Sequence, residues 1–487
     1  MNIYKLILIG LYLISYLLLS GCAQNQATGQ RQLVLLSPEQ EQDIGSKEHP
    51  KVLKAFGGIY EKDELNNYVS SLGEKLAKLS EQPNIRWKFT VLDSPLVNAF
   101  ALPGGYVYIS RGLLSLTNDE SELASVLGHE IAHITARHTA QRHAKSTISE
   151  IGLNILDIVV GQPIISNAAS LGARGAIAAF SRSEEIEADI IGKRYIINAG
   201  YDSNASYRFL KRLNDLTELS NENNKNFIVS IFATHPRTEE RMKKVKDDIF
   251  YNDEEAITNR NNFLAVINNI TYGESSKNGI VKDNKFLHIP LNIAFSVPDG
   301  FEIENKTNAV IARGKDSHSI LIFDGLINQD NLDLLDLVES NIGRSRTNFI
   351  DNVTIYNQPA IIVKDRELVE FEKQRYTRRI VLIKWYNSRV WRFNILTDES
   401  STRSSYESIL KKVFDFHQLS EEELLIAQPK RIKIYVTNKG DTLSSLSKMM
   451  SVEDKKLEWI KILNGFSADV NKDTPIEPGT LIKLIVG

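Results

Sequence analysis

Apolar residues change their spacing several times along the chain, and each change predicts a different kind of element. Lys5 is followed by an uncharged, mostly apolar run from Leu6 to Leu19 that ends in Ser20-Gly21-Cys22. From about Pro38 to Ile249 the spacing is mainly helical, as over Leu65–Leu79, where apolar residues recur on one helical face. Two segments break that habit: Ile85–Leu92 and Gly105–Ser110 are rich in β-branched and aromatic residues and predict two strands of a small sheet. Residues 151–180 are apolar but carry Asn154, Asp157, Gln162 and Pro163, which predicts core or groove-lining helices rather than a membrane span. Polar residues crowd 251–282 and predict a connector. Beyond it, Ile293–Val297, Ala309–Ala312, Ile320–Phe323 and Arg379–Lys384 predict strands, with helices near 331–342 and 404–416. After Pro429 a short strand, a capped helix, a second helix and a closing strand are expected.

The architecture predicted is therefore α+β: a mainly helical domain over 41–250 with a small edge sheet, a linker over 251–282, a small α+β domain over 283–420 and a compact module over 429–487. A length of 487 residues suits about three domains. The charge balance, 58 Lys and Arg against 61 Asp and Glu, offers no basic excess to attract nucleic acid, so no nucleic-acid partner is expected.

The N-terminal run changes the picture of where the chain works. A charged start, a short apolar stretch and small residues describe a secretory signal peptide over 1–21; the competing reading is an uncleaved anchor. Cys22 is the sole cysteine, so no disulfide is expected. Leu19-Ser20-Gly21-Cys22 resembles the lipobox of bacterial lipoproteins, which implies acylation of Cys22 and attachment to a membrane surface. Ala23 stands where an inner-membrane retention Asp would, so the periplasmic face of the outer membrane is expected, with residues 22–40 as a flexible lipid-anchored tether.

The candidate chemistry centres on His129-Glu130-Ile131-Ala132-His133. Leu123, Val126, Leu127 and Ile131 recur at helical spacing, and Thr117 with Glu120 has capping-box spacing. Two imidazoles four residues apart share one helix face about 6 Å apart along the axis and can reach a single ion, while Glu130 is offset to act on a water at its open position. A catalytic zinc needs a third protein ligand. In Ser181-Arg182-Ser183-Glu184-Glu185-Ile186-Glu187-Ala188-Asp189, Glu185 and Asp189 share a face, so one carboxylate can bind metal while the other orients a ligand histidine; Glu184 and Glu187 are expected to point elsewhere. A solvated acidic helix face is the competing reading of that cluster. His138 and His143 are expected at the surface, and His49, His288, His318 and His417 carry no assigned chemistry.

With Asn98–Gly105 before them and Thr234-His235-Pro236 after them, these segments resemble the zinc metalloendopeptidase family that includes the HtpX heat-shock protease, the CAAX prenyl protease and the periplasmic β-barrel assembly-enhancing protease. The resemblance spans about 140 residues. It implies a gluzincin-type protease domain with one Zn2+, ligands His129, His133 and Glu185, general base Glu130, and Asp189 behind the ligands. It also implies that Gly105, Tyr106, Val107 and Tyr108 form an edge strand that binds extended, unfolded envelope proteins through main-chain hydrogen bonds. His235 is implied either as a regulatory ligand that plugs the site or as an oxyanion donor, against a plain helix-capping role. Residues 429–487 resemble a LysM-like module, which implies peptidoglycan as a partner. Unlike the membrane-embedded relatives the chain has no strong spanning helices, and no helical repeat array follows the protease segment. The leading reading is a protease of misfolded or unassembled envelope proteins; the alternatives are a cell-wall-tethered binding or chaperone module with a latent metal site, and a peptidoglycan hydrolase.

Overall fold

The computed structural model describes residues 22–33, 36–142, 180–221, 231, 235–236, 239–247, 255–306, 309–315, 318–372, 374–398 and 403–487. The expected signal peptide, His143, Thr234 and the apolar stretch up to 179 lie outside the described residues. The chain divides into two compact units, Met1–Gly273 with Lys430–Gly487, and Glu274–Pro429.

The first unit opens with a hairpin, β1 (Cys22–Gln24) and β2 (Arg31–Leu33), where the Gln- and Gly-rich composition predicted a flexible tether. The order has a cause: buried Asn25 donates from Nδ2 to the Thr135 carbonyl (3.0 Å), and Ala27 enters the main core. Helices α1 (Pro38–Ala55) and α2 (Asp63–Ala77) follow, the second burying Leu65, Val69, Leu72 and Leu76 at helical spacing. A three-stranded sheet comes next, of β3 (Lys88–Leu92), β4 (Ala99–Leu102) and β5 (Tyr106–Ser110), in the order β3-β5-β4. This corrects the edge-strand expectation for Gly105–Tyr108. Strand β5 is the middle strand, paired in parallel with β3 and antiparallel with β4, so its main chain is committed on both sides. Tyr108 is fully buried and its hydroxyl meets His49 Nδ1 at 2.7 Å, while the Tyr106 ring packs 5.4 Å from the same imidazole. Among the described residues β4 pairs on one side only, and it packs on the motif helix more extensively than β5 does.

Helix α3 (Arg111–Leu116) leads to the motif helix α4 (Glu120–Thr135). Its N-cap is Asp119, which accepts from Glu122 N at 2.8 Å, and not Thr117, which ends α3; the capping-box reading of Thr117 with Glu120 is thereby corrected. The remaining helices of this part are α5 (Arg182–Asn198), α6 (Ala205–Asn221), α7 (Glu239–Asp247) and α8 (Arg260–Ile267). The last lies within the expected connector, yet Phe263, Leu264 and Ile267 are fully buried in the main core.

Residues 430–487 belong to this same unit. They form β6 (Arg431–Val436), α9 (Leu443–Ser447), α10 (Lys456–Asn464) and β7 (Leu481–Val486), with β6 and β7 antiparallel. Ile432, Leu446, Ile460, Leu463, Ile482 and Leu484 share one apolar core with Leu113, Leu116, Leu123 and Leu127. Lys483 is wholly buried, and its ammonium donates to the Ser115 and Thr117 carbonyls, both at 2.8 Å. Those carbonyls end α3, so the lysine satisfies acceptors that a helix terminus leaves open. Burial, helped by Arg212 and Arg260, pulls the Lys483 ammonium well below the usual lysine range.

In the second unit, strands 347–355, 358–365, 374–384, 389–397, 319–327, 309–314 and 301–306 lie side by side in that order, with 369–371 added beside 374–384. A three-stranded sheet of 280–282, 285–288 and 293–296 and helices 334–342, 403–414 and 421–426 complete it. Phe295, Phe323, Trp391, Phe393 and Phe416 fill its core. The strands and helices expected over 283–420 coincide with elements of this unit. Strand 347–355 went unpredicted because its outer position leaves most of its residues exposed, which erases the alternating pattern.

Candidate metal centre

Helix α4 presents His129 and His133 on one face, with their Nε2 atoms 3.0 Å apart. Helix α5 crosses it closely because both helices are bare at the crossing. A Cβ on Gly192 would lie 2.8 Å from Gly128 C and His129 N, and one on Gly128 3.0 Å from the Gly192 carbonyl oxygen. That proximity brings the acidic face of α5 onto the imidazoles. His129 Nε2 is 3.6 Å from Glu185 Oε2, and His133 Nε2 is 3.4 Å from Glu185 Oε1. His235 completes the group: its Nδ1 lies 3.3 Å from His129 Nε2 and 2.9 Å from Glu185 Oε1. Among the described residues, one ligand atom from each of His129, His133, Glu185 and His235 lies within 4.8 Å of all the others.

These separations fit a single zinc ion. Bonds of about 2.0–2.1 Å in a tetrahedral arrangement set the donors about 3.3 Å apart, and five contacts among the four side chains here, through both oxygens of Glu185, run from 2.9 to 3.6 Å. Three imidazoles and a carboxylate are also a zinc-type donor set. Glu130 is nearly wholly buried against the group, with Oε1 3.5 Å from His235 Nε2, while its Oε2 has no hydrogen-bond partner among the described residues. A buried, half-satisfied carboxylate beside a set of converging donors is costly unless something polar comes to meet it.

Each remaining acidic residue of α5 has its own partner. Ser181 and Glu184 form a reciprocal capping box, with the Ser181 N–H donating to Glu184 Oε2 (2.8 Å) and the Glu184 N–H to Ser181 Oγ (3.3 Å). Asp189 Oδ1 lies 2.9 Å from His129 Nδ1. Glu187 Oε2 lies 3.0 Å from His138 Nε2, and His138 Nδ1 in turn lies 3.0 Å from His133 Nδ1. The expected surface position of His138 is therefore wrong: it is 2% exposed. The chain turns at Arg137 (φ 64°) directly after α4 and folds the next histidine back beneath the ligands.

Two neighbours had no legible signal in the sequence. Arg241, buried on α7, donates to Asp189 through Nε (2.7 Å) and Nη2 (2.9 Å) and pairs through Nη1 with Glu185. Phe180 stacks on His133 with ring centroids 3.8 Å apart. Burial raises the Glu185 carboxyl, but the charges of His235 and Arg241 outweigh it and hold the group well below its usual range. Burial pulls His133 well below the usual imidazole range. A carboxylate and a neutral imidazole are the forms that bind metal. Burial likewise lowers His129, but Asp189 and Glu185 carry it net upward. Glu130 is pushed up by burial, with His235 and His129 opposing. Beside it a cavity of about 50 Å³ is lined by Val126, Phe209, Leu213 and Ile231.

Two histidines and a glutamate on crossed helices, with a second glutamate behind them, form a candidate metal centre with the donor set of a zinc site. Residues 63–249 match the model of Peptidase family M48. The chain is 34% identical over 187 residues to the β-barrel assembly-enhancing protease proposed in Vibrio cholerae, covering 37% of this chain and 38% of that one. It is 33% identical over 184 residues to the mitochondrial metalloendopeptidase OMA1 of Schizosaccharomyces pombe, with coverage of 37% and 52%. To the β-barrel assembly-enhancing protease of Escherichia coli K12 it is 29% identical over 221 residues, 44% of each chain. The matches thus span about half or less of those relatives' own lengths.

Proposed function

We propose that the protein is a zinc-dependent endopeptidase of the cell envelope that cleaves misfolded or unassembled proteins. The observation that carries this reading is the convergence of four ligand atoms within 4.8 Å, with buried Glu130 against them. His129, His133 and Glu185 would hold the ion, which would supply Lewis-acid polarisation of the scissile carbonyl and a more acidic water. Glu130 takes the proton from the attacking water and delivers it to the leaving amine nitrogen. Asp189, clamped by Arg241, keeps His129 oriented. Strand β4 (Ala99–Leu102), with one side unpaired among the described residues and packed on the motif helix, takes the substrate-binding role first expected of Gly105–Tyr108. Main-chain pairing there selects extended segments, hence unfolded chains, over folded ones.

Attachment through acylated Cys22 is part of the same reading, at the periplasmic face of the outer membrane. No helix among the described residues is long and apolar enough to cross a membrane. The strand–helix–helix–strand order of 431–486 is compatible with a LysM-like module and peptidoglycan as its ligand.

His235 acts in this reading as a latency ligand, because its Nδ1 sits as close to Glu185 and His129 as those ligands sit to each other. Held there, it would exclude an attacking water. His235→Ala is expected to raise the rate of casein cleavage by the soluble form about tenfold, equivalent to about 1.4 kcal/mol of relieved competition, with all activity lost on adding a zinc chelator. A fall in rate would instead make His235 an oxyanion donor, and activity indifferent to the chelator would remove zinc proteolysis from consideration.

A further inference from the structure

The two motif histidines are supported differently on the side away from the metal position. His129 meets a carboxylate directly at Asp189 (2.9 Å). His133 meets no carboxylate through Nδ1; its partner there is another imidazole, His138, at 3.0 Å, and only His138 reaches a carboxylate, Glu187, at 3.0 Å. Helical spacing alone points Glu187 away from the centre, and nothing local to His138 marks it as buried.

A carboxylate only accepts hydrogen bonds, so the proton of a neutral His138 belongs on Nε2, facing Glu187. That leaves the His138 Nδ1 lone pair to accept from His133 Nδ1–H. The Nε2 lone pair of His133 is then left facing His129 Nε2 and Glu185. Phe180, stacked on the His133 ring, resists rotation out of this plane. Residues Glu185, Glu187 and Asp189 of one helix thereby serve the centre in three ways: as ligand, as the far end of a relay, and as a direct support.

We infer that His138 and Glu187 form a positioning relay that fixes His133 in its Nδ1–H tautomer and so presents its Nε2 to the metal. The inference rests on the zinc reading of the centre. A ligand's outer hydrogen-bond partner is typically worth 10- to 100-fold in metal affinity, and the relay predicts a loss of that size.

The test compares soluble protein starting after Cys22 with His138→Phe, which keeps a ring but no nitrogen, and His138→Asn, whose Oδ1 supplies an acceptor near the place of Nδ1. Zinc affinity is measured by competition with a chromophoric chelator, and the His133 tautomer by 15N spectra of the zinc-free protein. His138→Phe is expected to bind zinc about 10- to 100-fold more weakly and His138→Asn within a few-fold of wild type, with the Nδ1–H tautomer of His133 seen in the wild type and lost in His138→Phe. Equal zinc affinity of His138→Phe and wild type, or an Nε2–H tautomer of His133 in the wild type, overturns the relay. Should His138→Phe fail to fold, the wild-type tautomer and the asparagine variant still decide. A wild type that binds no zinc at all overturns the zinc reading instead, which keeps the two failures apart.

Discussion

Glu130→Gln is expected to abolish proteolysis while the zinc stays bound. The side chain is nearly wholly buried, sits one residue from a ligand, and is not itself among the four converging donors. Glutamine keeps its size and can still hydrogen-bond, but it cannot accept a proton. Loss of a positioned general base costs about 10²- to 10⁴-fold. The cleavage rate on casein should fall in that range with zinc content and melting temperature within error of wild type. Retention of full activity would remove Glu130 from the chemistry. A protein that lost its metal together with its activity would instead place this carboxylate among the ligands.

The second large effect is expected at the other end of the chain. Removing residues 430–487 should destroy the folded catalytic unit and not merely detach a binding module. Ile432, Leu446, Ile460, Leu463, Ile482 and Leu484 share a core with the motif helix's Leu123 and Leu127, and burying each such side chain is worth about 1.5–3 kcal/mol. Loss of even four would consume most of a typical domain stability of about 5–15 kcal/mol. The Ser115 and Thr117 carbonyls would also lose Lys483. Nearby Arg212 grips Glu122 of the motif helix through Nη1 (2.5 Å) and Nη2 (2.9 Å), so disorder there passes to the helix that carries the ligands. Expressed without 430–487, the protein should be insoluble or melt without a cooperative transition. A truncated form that melts as the full chain does and cleaves casein would show the module to be separable.

What the sequence made legible was whatever a single element contains. His129 and His133 sit on one helix, so a spacing of four suffices to pair them; Glu185 and Asp189 follow the same rule on the next ligand helix. Contacts between elements were harder. Nothing local distinguishes Arg241 from any other helix arginine, and the Gly128–Gly192 crossing is visible only once both helices are packed. His138 was misplaced because a left-handed turn at Arg137 folds it back under the ligands, and periodicity is blind to that turn. The edge-strand error has a related origin. Alternation in Gly105–Ser110 reports a strand and its two faces, whereas the pairing order that makes it central is a property of the whole sheet. The C-terminal module reads as self-contained because its turns and caps are local. The exception is Lys483, a charge in the otherwise apolar stretch Leu481–Val486, which marks a strand covered on both sides.

Convergence of side chains from crossed helices on one ion is tested by the metal stoichiometry of the purified form beginning after Cys22, wild type against Glu185→Ala. One zinc per chain is expected in the wild type, with the variant losing most of it after dialysis, because the carboxylate touches both imidazole positions. A wild type free of zinc and unable to take it up, or a Glu185→Ala protein that keeps its zinc undiminished, would rule out a zinc centre held by Glu185.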